Sequence, residues 1–191
     1  MKTFTRILAA APALLLMAGM AHAGKYQDTI NLFRNAGPSA AFFQDSYGYA
    51  VFPTVGEGGF VVGGALGKGH VYVHGRLIGD TTMGQVSVGF QAGGKAYSQI
   101  IFFQDKRALD EFRSGTFEFD AGASAVAITA GASVSAGTSG VSAGVSGGEK
   151  DARDTGVYQK GMAVFTIAKG GLMYAATIAG QKFTYTPRGQ G

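Results

Sequence analysis

The sequence predicts a β-rich α+β domain, in which an antiparallel, barrel-like sheet system is built from two related β-units and covered by a few helices. The first unit, residues 48–72, alternates glycines with short apolar runs. A looser copy returns at residues 161–185, and both copies contain Gly-x-Ala-Val-Phe followed by a Gly-Gly pair. Short, β-branched apolar runs bounded by glycine are typical of strands rather than helices. Because there are only two imperfect copies, we interpret them as a pseudo-repeat within one domain.

The first 23 residues have the pattern of a cleaved signal peptide. Lys2 and Arg6 form a basic start, residues 7–20 are apolar, and Ala21-His22-Ala23 supplies a small-x-small cleavage site. An uncleaved membrane anchor is the alternative, but the apolar run is short for a membrane span. We therefore expect residues 24–191 to form the mature domain. It is expected to be exported, periplasmic or extracellular, and peripheral on a membrane.

Composition excludes several classes of site. The chain contains no cysteine, which excludes disulfides, thiol catalysis, thiolate metal sites and a lipidated cysteine. Without the two basic residues of the leader, the 16 basic residues fall to 14 against 12 acidic ones, a net charge of +2. Since there is also no basic run, nucleic acid is not an expected partner.

The mature chain is predicted to begin with two helices within residues 25–47. Tyr26, Ile30 and Phe33 fall on one face of the first helix. Gly37-Pro38 should end it, and a short second helix should follow, from Ser39 to about residue 46. Two roles are open for the apolar face of the first helix. It either covers one side of the sheet or contacts an anionic membrane, to which the flanking Lys25 and Arg34 are suited.

Strands are predicted to fill the middle of the chain. Residues 71–73 and 77–79 flank a short hairpin connection, His74-Gly75-Arg76. Residues 83–90 and 96–103 are predicted to form a further strand pair. Residues 100–103, Ile-Ile-Phe-Phe, are apolar on both faces and therefore indicate a central strand.

One more helix and a low-complexity segment follow. Asp105 is predicted to cap a helix through residue 113, with Leu109 and Phe112 facing inward and Gly115 at its exit. Residues 116–119 should be extended, and residues 121–134 have the composition of a closely packed strand. Residues 137–150 are almost wholly Gly, Ser, Ala and Val with little to bury, which predicts a mobile loop.

No motif in the sequence makes a convincing active site. The Gly89-x-x-x-x-Gly94-Lys95 pattern has Ala96 where a phosphate-binding loop needs Ser or Thr, and a strand rather than a helix should follow, so no nucleotide is expected. Ser142 and Ser146 each match a hydrolase elbow. That elbow, however, needs a histidine later in the chain, and the mature histidines come earlier.

Metal binding is not indicated either. His70 and His74 on a strand would be separated by roughly 13 Å, and no carboxylate cluster completes a site. No metal and no cofactor is expected.

Several separated motifs lie within about residues 28–187. They are GYAVFP at residues 48–53, Gly58-Gly59-Phe60, residues 89–93, residues 100–103, Phe117-Glu118-Phe119 and residues 169–173. Together they resemble the SYLF lipid-binding domain family. The chain is similar to the stand-alone, exported bacterial form of that family. The resemblance implies a non-catalytic domain that binds anionic phospholipid. This chain departs from the pattern at Glu57, where a lysine often precedes the first Gly-Gly, and no protein-interaction module is expected.

The residues expected to contact lipid are basic side chains near glycine turns and the apolar face of the first helix. They are Lys68, Lys95, Lys169, Lys182, Arg34, Tyr26, Ile30 and Phe33. Near an anionic surface each lysine could add about 1 kcal/mol. Two alternatives stay open: an envelope structural or stress protein that binds protein partners, and a lipid esterase that uses the Ser142 and Ser146 patterns.

Overall fold

A computed structural model describes residues 24–59, 62–88, 95–120, 123, 125–128, 158–169 and 178–189. The expected signal peptide (residues 1–23) and the expected loop at residues 137–150 lie outside these ranges. Within them, no helix is both long enough and apolar enough to cross a membrane.

One seven-stranded sheet dominates the domain, which confirms the predicted β-rich α+β class. Its strands run in the spatial order β5-β6-β4-β1-β2-β3-β7. All neighbours are antiparallel except β5 and β6, so the sheet is mixed, and over the described strands it is not closed into a barrel. The strand bounds are β1 Gly48–Gly59, β2 Val62–Val73, β3 Arg76–Val88, β4 Lys95–Phe103, β5 Val126–Ile128, β6 Met162–Ala168 and β7 Gln181–Pro187.

The predicted hairpin between β2 and β3 is confirmed. Its connection is two residues rather than the predicted three, since Arg76 begins β3; His74 and Gly75 have φ angles of 47° and 76°. Two consecutive positive φ angles are the signature of the two-residue turn whose twist matches that of a hairpin. This turn sets the register in which Val73 lies opposite Arg76.

The predicted pairing of residues 83–90 with residues 96–103 is wrong. Residues 83–88 continue β3, which pairs with β2 and β7, whereas β4 pairs with β1 and β6. The physical reason is that β4, unlike β3, is apolar on both of its faces. Ile100, Ile101, Phe102 and Phe103 are all fully buried, so β4 needs cover on both sides and takes the predicted central place.

The two β-units join one sheet in different ways. The first forms the hairpin β1–β2, whereas β6 and β7 of the second lie near opposite edges of the sheet. Their matching Ala-Val-Phe segments also differ in register by one residue. Ala50 lies opposite Ile101, which lies opposite Val164 rather than Ala163. A shift of one residue turns a strand's side chains to the other face, so equivalent residues of the two units face opposite sides of the sheet.

Within the described ranges, four helices accompany the sheet: α1 (24–34), α2 (Gly37–Ala40), α3 (Phe42–Asp45) and α4 (Lys106–Arg113). The sheet face that α4 covers, called the α4 face, contains Phe52, Phe103 and Phe183, and the Phe112 ring of α4 lies 4.8 Å from that of Phe183. The opposite α1 face contains side chains that alternate with these along the strands. It packs against α1 and α3.

The capped helix is confirmed as α4. The Asp105 side chain accepts a hydrogen bond from the backbone N–H of Ala108 at 2.8 Å. Leu109 and Phe112 are buried, and Gly115 has a φ of 74° just beyond the helix end. Phe117 and Phe119 are also buried while Glu118 between them is exposed, as the extended alternation predicts.

Candidate functional site: the uncovered half of the α1 face

Helix α1 covers only part of the α1 face. The Tyr26 ring stacks on His70 of β2 with centroids 3.5 Å apart, and the Tyr26 hydroxyl donates to the Lys68 carbonyl at 3.4 Å. Four residues before His70 on β2, the helix no longer covers the sheet: the Leu66 side chain is 71% exposed. Among the described residues, this face therefore has a part packed beneath α1 and a part around Leu66 that is open to solvent, here called the uncovered half.

Glycines lie between the side chains of the uncovered half. Leu66 lies opposite Gly56 on one side and Gly84 on the other, and Gly84 lies opposite Lys182. Partners in register share a face of the sheet, as do residues two apart on one strand, which adds Lys68 and Val86. We call Leu66, Lys68, Gly84, Val86 and Lys182 the Leu66 patch.

Glycine geometry confirms which way β2 presents its side chains. A Cβ added at Gly67 or at Gly69 would lie within 3 Å of side-chain atoms of the α4-face core, such as those of Val55 and Phe52. These glycines therefore occupy the buried face, and Leu66 and Lys68, which alternate with them, point the other way. An added Cβ at Gly56 would meet nothing within 4 Å, so the surface there is open.

Three lysines lie on or near this surface. Lys68 is exposed and, among the described residues, forms no ion pair. The Lys182 ammonium lies 3.2 Å from the Glu118 carboxylate, which partly neutralises it. The Lys169 ammonium donates to the Thr54 hydroxyl at 2.6 Å, and Thr54 stands just before Gly56 in β1.

A polar cluster separates the uncovered half from the packed half. Arg188 donates two hydrogen bonds to the Asp80 carboxylate, at 2.8 and 2.9 Å. The same carboxylate lies 3.2 Å from Nε2 of His70, which stacks on Tyr26. The cluster therefore ties β2, β3 and the end of the chain to the start of α1.

Burial changes the acidity of the tyrosines beneath α1. Burial, followed by the neighbouring Tyr49 and Tyr26, raises the pKa of Tyr72 to about 12. Burial also raises the pKa of Tyr26, with a further contribution from Asp80. The hydrogen bond to Asp80 raises the pKa of Arg188. These tyrosines are neutral at physiological pH and serve as packing groups and hydrogen-bond donors.

The structure brings together some of the residues predicted to bind lipid. Lys68 and Lys182 share one exposed surface, and Lys169 lies beside it. For Lys95 the structure describes the backbone, which lies opposite Glu57. Arg34 lies about 12 Å along the axis of α1 from Tyr26, with its guanidinium 5.0 Å from the Phe43 ring, and so is separate from the lysines.

The apolar face of α1 has the first of its two expected roles. Tyr26, Ile30 and Phe33 are 8%, 2% and 0% exposed and pack in one core with Val51 and Ile100. An aromatic face this deeply buried has no surface left with which to contact a membrane. The expectation that these three side chains belong to an exposed binding surface is therefore corrected.

Comparison with known proteins assigns the family. Residues 84–186, more than half of the chain, match the model of the Ysc84 family, described as "Las17-binding protein actin regulator". The chain belongs to the Ysc84 family. This confirms the resemblance to SYLF proteins that the sequence motifs indicate.

A curated relative of this Ysc84-family chain is "Beta cell expansion factor A" of Aeromonas veronii. The two are 30% identical over 156 residues, which is 81% of this chain and 51% of the relative. The chain thus spans about half the length of that protein. The region that matches the family model includes Val86, Lys169 and Lys182, whereas Leu66 and Lys68 precede it.

Sequence reasoning missed the two apolar residues of the Leu66 patch in this Ysc84-family domain. Leu66 and Val86 lie in segments that the sequence predicts as strands, and an apolar residue in a strand is ordinarily assigned to the core. The sequence Leu66-Gly67-Lys68 contains the signal that could have identified Leu66 as exposed. An apolar residue two positions before a lysine on one strand must share that lysine's face.

The motifs rejected as catalytic are only partly within the described residues. Ser142 and Ser146 lie outside them. Lys95 begins β4, so the residues that follow Gly94 are a strand, as predicted. His70 lies beside Asp80, whereas His74 occupies the β2–β3 turn against the Tyr47 ring. Over the described ranges there is no group of three or more His, Cys, Asp or Glu side chains that could hold a metal ion.

Proposed function

We propose that this protein binds anionic, phosphate-bearing lipid at the cell envelope as a peripheral and non-catalytic domain. The observation that carries the proposal is the arrangement of Lys68 and Lys182 on one uncovered sheet surface, with Lys169 at its margin. Membership of the Ysc84 family supports it, since the family is generally non-enzymatic and its members are consistent with lipid-related or actin-related binding.

The local arrangement of charge matters more than the total. A net charge of +2 for residues 24–191 gives little long-range attraction. Near an anionic leaflet, however, each lysine contributes about 1 kcal/mol, so two or three on one surface select that surface. Lys68 should contribute most, because Glu118 partly neutralises Lys182. Lys95, at the start of β4, is in register with Glu57 and Ala65 rather than with Leu66, and stays a prediction as a fourth contributor.

Export would place this surface at an envelope membrane. The leader-like residues 1–23 support a location outside the cytoplasm, periplasmic or extracellular. A phosphate-bearing lipid of the envelope is then the ligand class that the lysines suit. The proposal requires no metal, cofactor or nucleotide.

A second candidate function is the binding of a protein partner. The family description, which names a Las17-binding actin regulator, is the observation that favours it. An uncovered sheet surface could accept a protein as well as a lipid, and vesicle binding distinguishes the two.

The test is flotation of the purified domain, residues 24–191, with vesicles. We expect binding to phosphatidylglycerol-containing vesicles and poor binding to pure phosphatidylcholine vesicles. Raising the salt to 1 M should weaken the electrostatic part of the binding, since screening then acts within about 3 Å. Failure to float with anionic vesicles at low salt would refute the lipid proposal and favour a protein partner.

A further inference from the structure

The two apolar side chains of the Leu66 patch are largely exposed to solvent. Leu66 and Val86 are 71% and 76% exposed, whereas Leu32 on the outer side of α1 is 43% exposed. A single exposed apolar residue is ordinary, but two on one surface form a patch. Leu66 and Val86 are diagonal neighbours across the β2–β3 pair, since Leu66 lies opposite Gly84 and Val86 follows Gly84 by two residues.

This pair has glycines and two lysines as neighbours on the sheet surface. Gly56 and Gly84 are the register partners of Leu66 on its two sides, so no larger side chain stands directly beside it on these two described strands. An added Cβ at Gly84 would come no closer than 3.8 Å to Leu66, which leaves room beside that side chain. Lys68 stands two residues from Leu66 on the same face, and Lys182 lies opposite Gly84.

This combination suits the surface of an assembled bilayer better than an isolated headgroup. A soluble phosphate would be recognised by the lysines alone and would gain nothing from two exposed apolar side chains. A bilayer offers both chemistries at adjacent depths: phosphates at the surface and acyl chains beneath them. Lysine stems can also lie along apolar surface while their ammonium groups stay in the headgroup layer.

We propose that Leu66 and Val86 insert into the boundary between headgroups and acyl chains of an anionic bilayer, while Lys68 and Lys182 contact the phosphates. This inference rests on the proposed lipid-binding function and specifies its mode. The sheet itself, rather than α1, is then the membrane-contacting element.

The absence of tryptophan from the sequence allows insertion to be measured at single positions. The variants Leu66→Trp and Val86→Trp each introduce one reporter into the proposed insertion site, and Leu32→Trp introduces one on α1 as a matched control. Tryptophan suits exposed strand positions and the membrane interface, so the variants should fold, and the two strand variants keep an apolar side chain at the proposed insertion site.

In vesicles of phosphatidylglycerol and phosphatidylcholine, the emission of Leu66→Trp and Val86→Trp should shift to shorter wavelength. It should also be quenched when the acyl chains carry bromine. Leu32→Trp should show neither effect. Soluble glycerol 3-phosphate, which has no acyl chains, should shift none of the three variants.

A companion experiment removes the apolar groups without adding a probe. Leu66→Gln with Val86→Thr should lower the vesicle partition coefficient at least tenfold, because each fully inserted side chain is worth about one to two factors of ten. Leu32→Gln should leave it unchanged. The tenfold loss should persist at 1 M salt, where the electrostatic contribution is screened.

The outcomes separate this inference from the function on which it rests. If wild type floats with anionic vesicles but neither strand reporter shifts or is quenched, insertion is refuted and lysine binding stands. Unchanged partitioning of the Leu66→Gln, Val86→Thr double variant has the same meaning. If wild type does not bind anionic vesicles at all, both proposals fail.

Discussion

Replacement of Phe33 by alanine tests whether α1 is a structural cover. The Phe33 side chain is 0% exposed and packs between α1 and the α1 face of the sheet. Truncation of a fully buried phenylalanine costs about 3–5 kcal/mol, through lost burial and the cavity left behind. For a domain of this size that corresponds to roughly 6–20 °C in Tm, at about 2–4 °C per kcal/mol.

The matched control is Leu32→Ala, the neighbouring residue on the same helix. Leu32 is 43% exposed, so its replacement should cost less than about 1 kcal/mol. Both variants carry alanine, so helix propensity is favourable in each. Urea unfolding followed by circular dichroism gives both free energies of unfolding. If Phe33→Ala is no more destabilising than Leu32→Ala, α1 is not docked on the sheet and the assignment of its apolar face is refuted.

The remaining predictions concern the α4 cap, the hairpin turn and a buried tyrosine. Asp105→Ala should lower the free energy of unfolding by about 1 kcal/mol, since the Ala108 N–H loses its acceptor. Asp105→Ser should retain most of the wild-type stability, because serine is also a good cap. Thermal unfolding of the two variants measures both effects. Gly75→Val should destabilise by at least about 1 kcal/mol, because a β-branched residue does not tolerate a φ of 76°; no loss on urea unfolding would contradict this. Absorbance titration, with Tyr72→Phe as the reference, should show Tyr72 ionising near pH 12. Because its folded pKa is raised above the unfolded value of 10.0, its contribution to stability is complete below pH 10 and is lost as the pH rises towards 12.

Local signals in the sequence were sufficient for most individual elements. The spacing of Tyr26, Ile30 and Phe33 identified α1 and its apolar face, but not whether that face packs on the sheet or contacts a membrane. Asp105 marked the start of α4. These features depend on residues close together in the chain. A helical period or a cap leaves a complete local pattern.

Strand pairing could not be predicted in the same way. The sequence of β3 and β4 favours a pair of neighbours, but long-range burial decides otherwise, and Ile101 of β4 lies between Ala50 and Val164. The similarity between Ala50-Val51-Phe52 and Ala163-Val164-Phe165 was equally misleading. Two apolar segments can share a sequence while their register, which determines the buried face, differs by one residue.

The candidate site was predictable in its charges and not in its apolar part. Lys68 and Lys182 were selected because they lie near glycines in the sequence, and the register of β2, β3 and β7 places them on one surface. The exposure of Leu66 depends on where α1 ends its cover of the sheet. That boundary follows from tertiary contacts such as the stacking of Tyr26 on His70.

Lysines on this surface are proposed to direct the protein to anionic lipid, and a pair of charge-matched variants tests this claim most directly. Lys68→Gln with Lys182→Gln removes two charges from the Leu66 patch. Lys106→Gln with Arg107→Gln removes two from α4, on the opposite face, where these side chains are 69% and 63% exposed. At about 1 kcal/mol per lysine, the first variant should partition into phosphatidylglycerol vesicles at least tenfold more weakly than wild type. The α4 variant should bind like wild type, and equal binding by the two folded variants would contradict the claim.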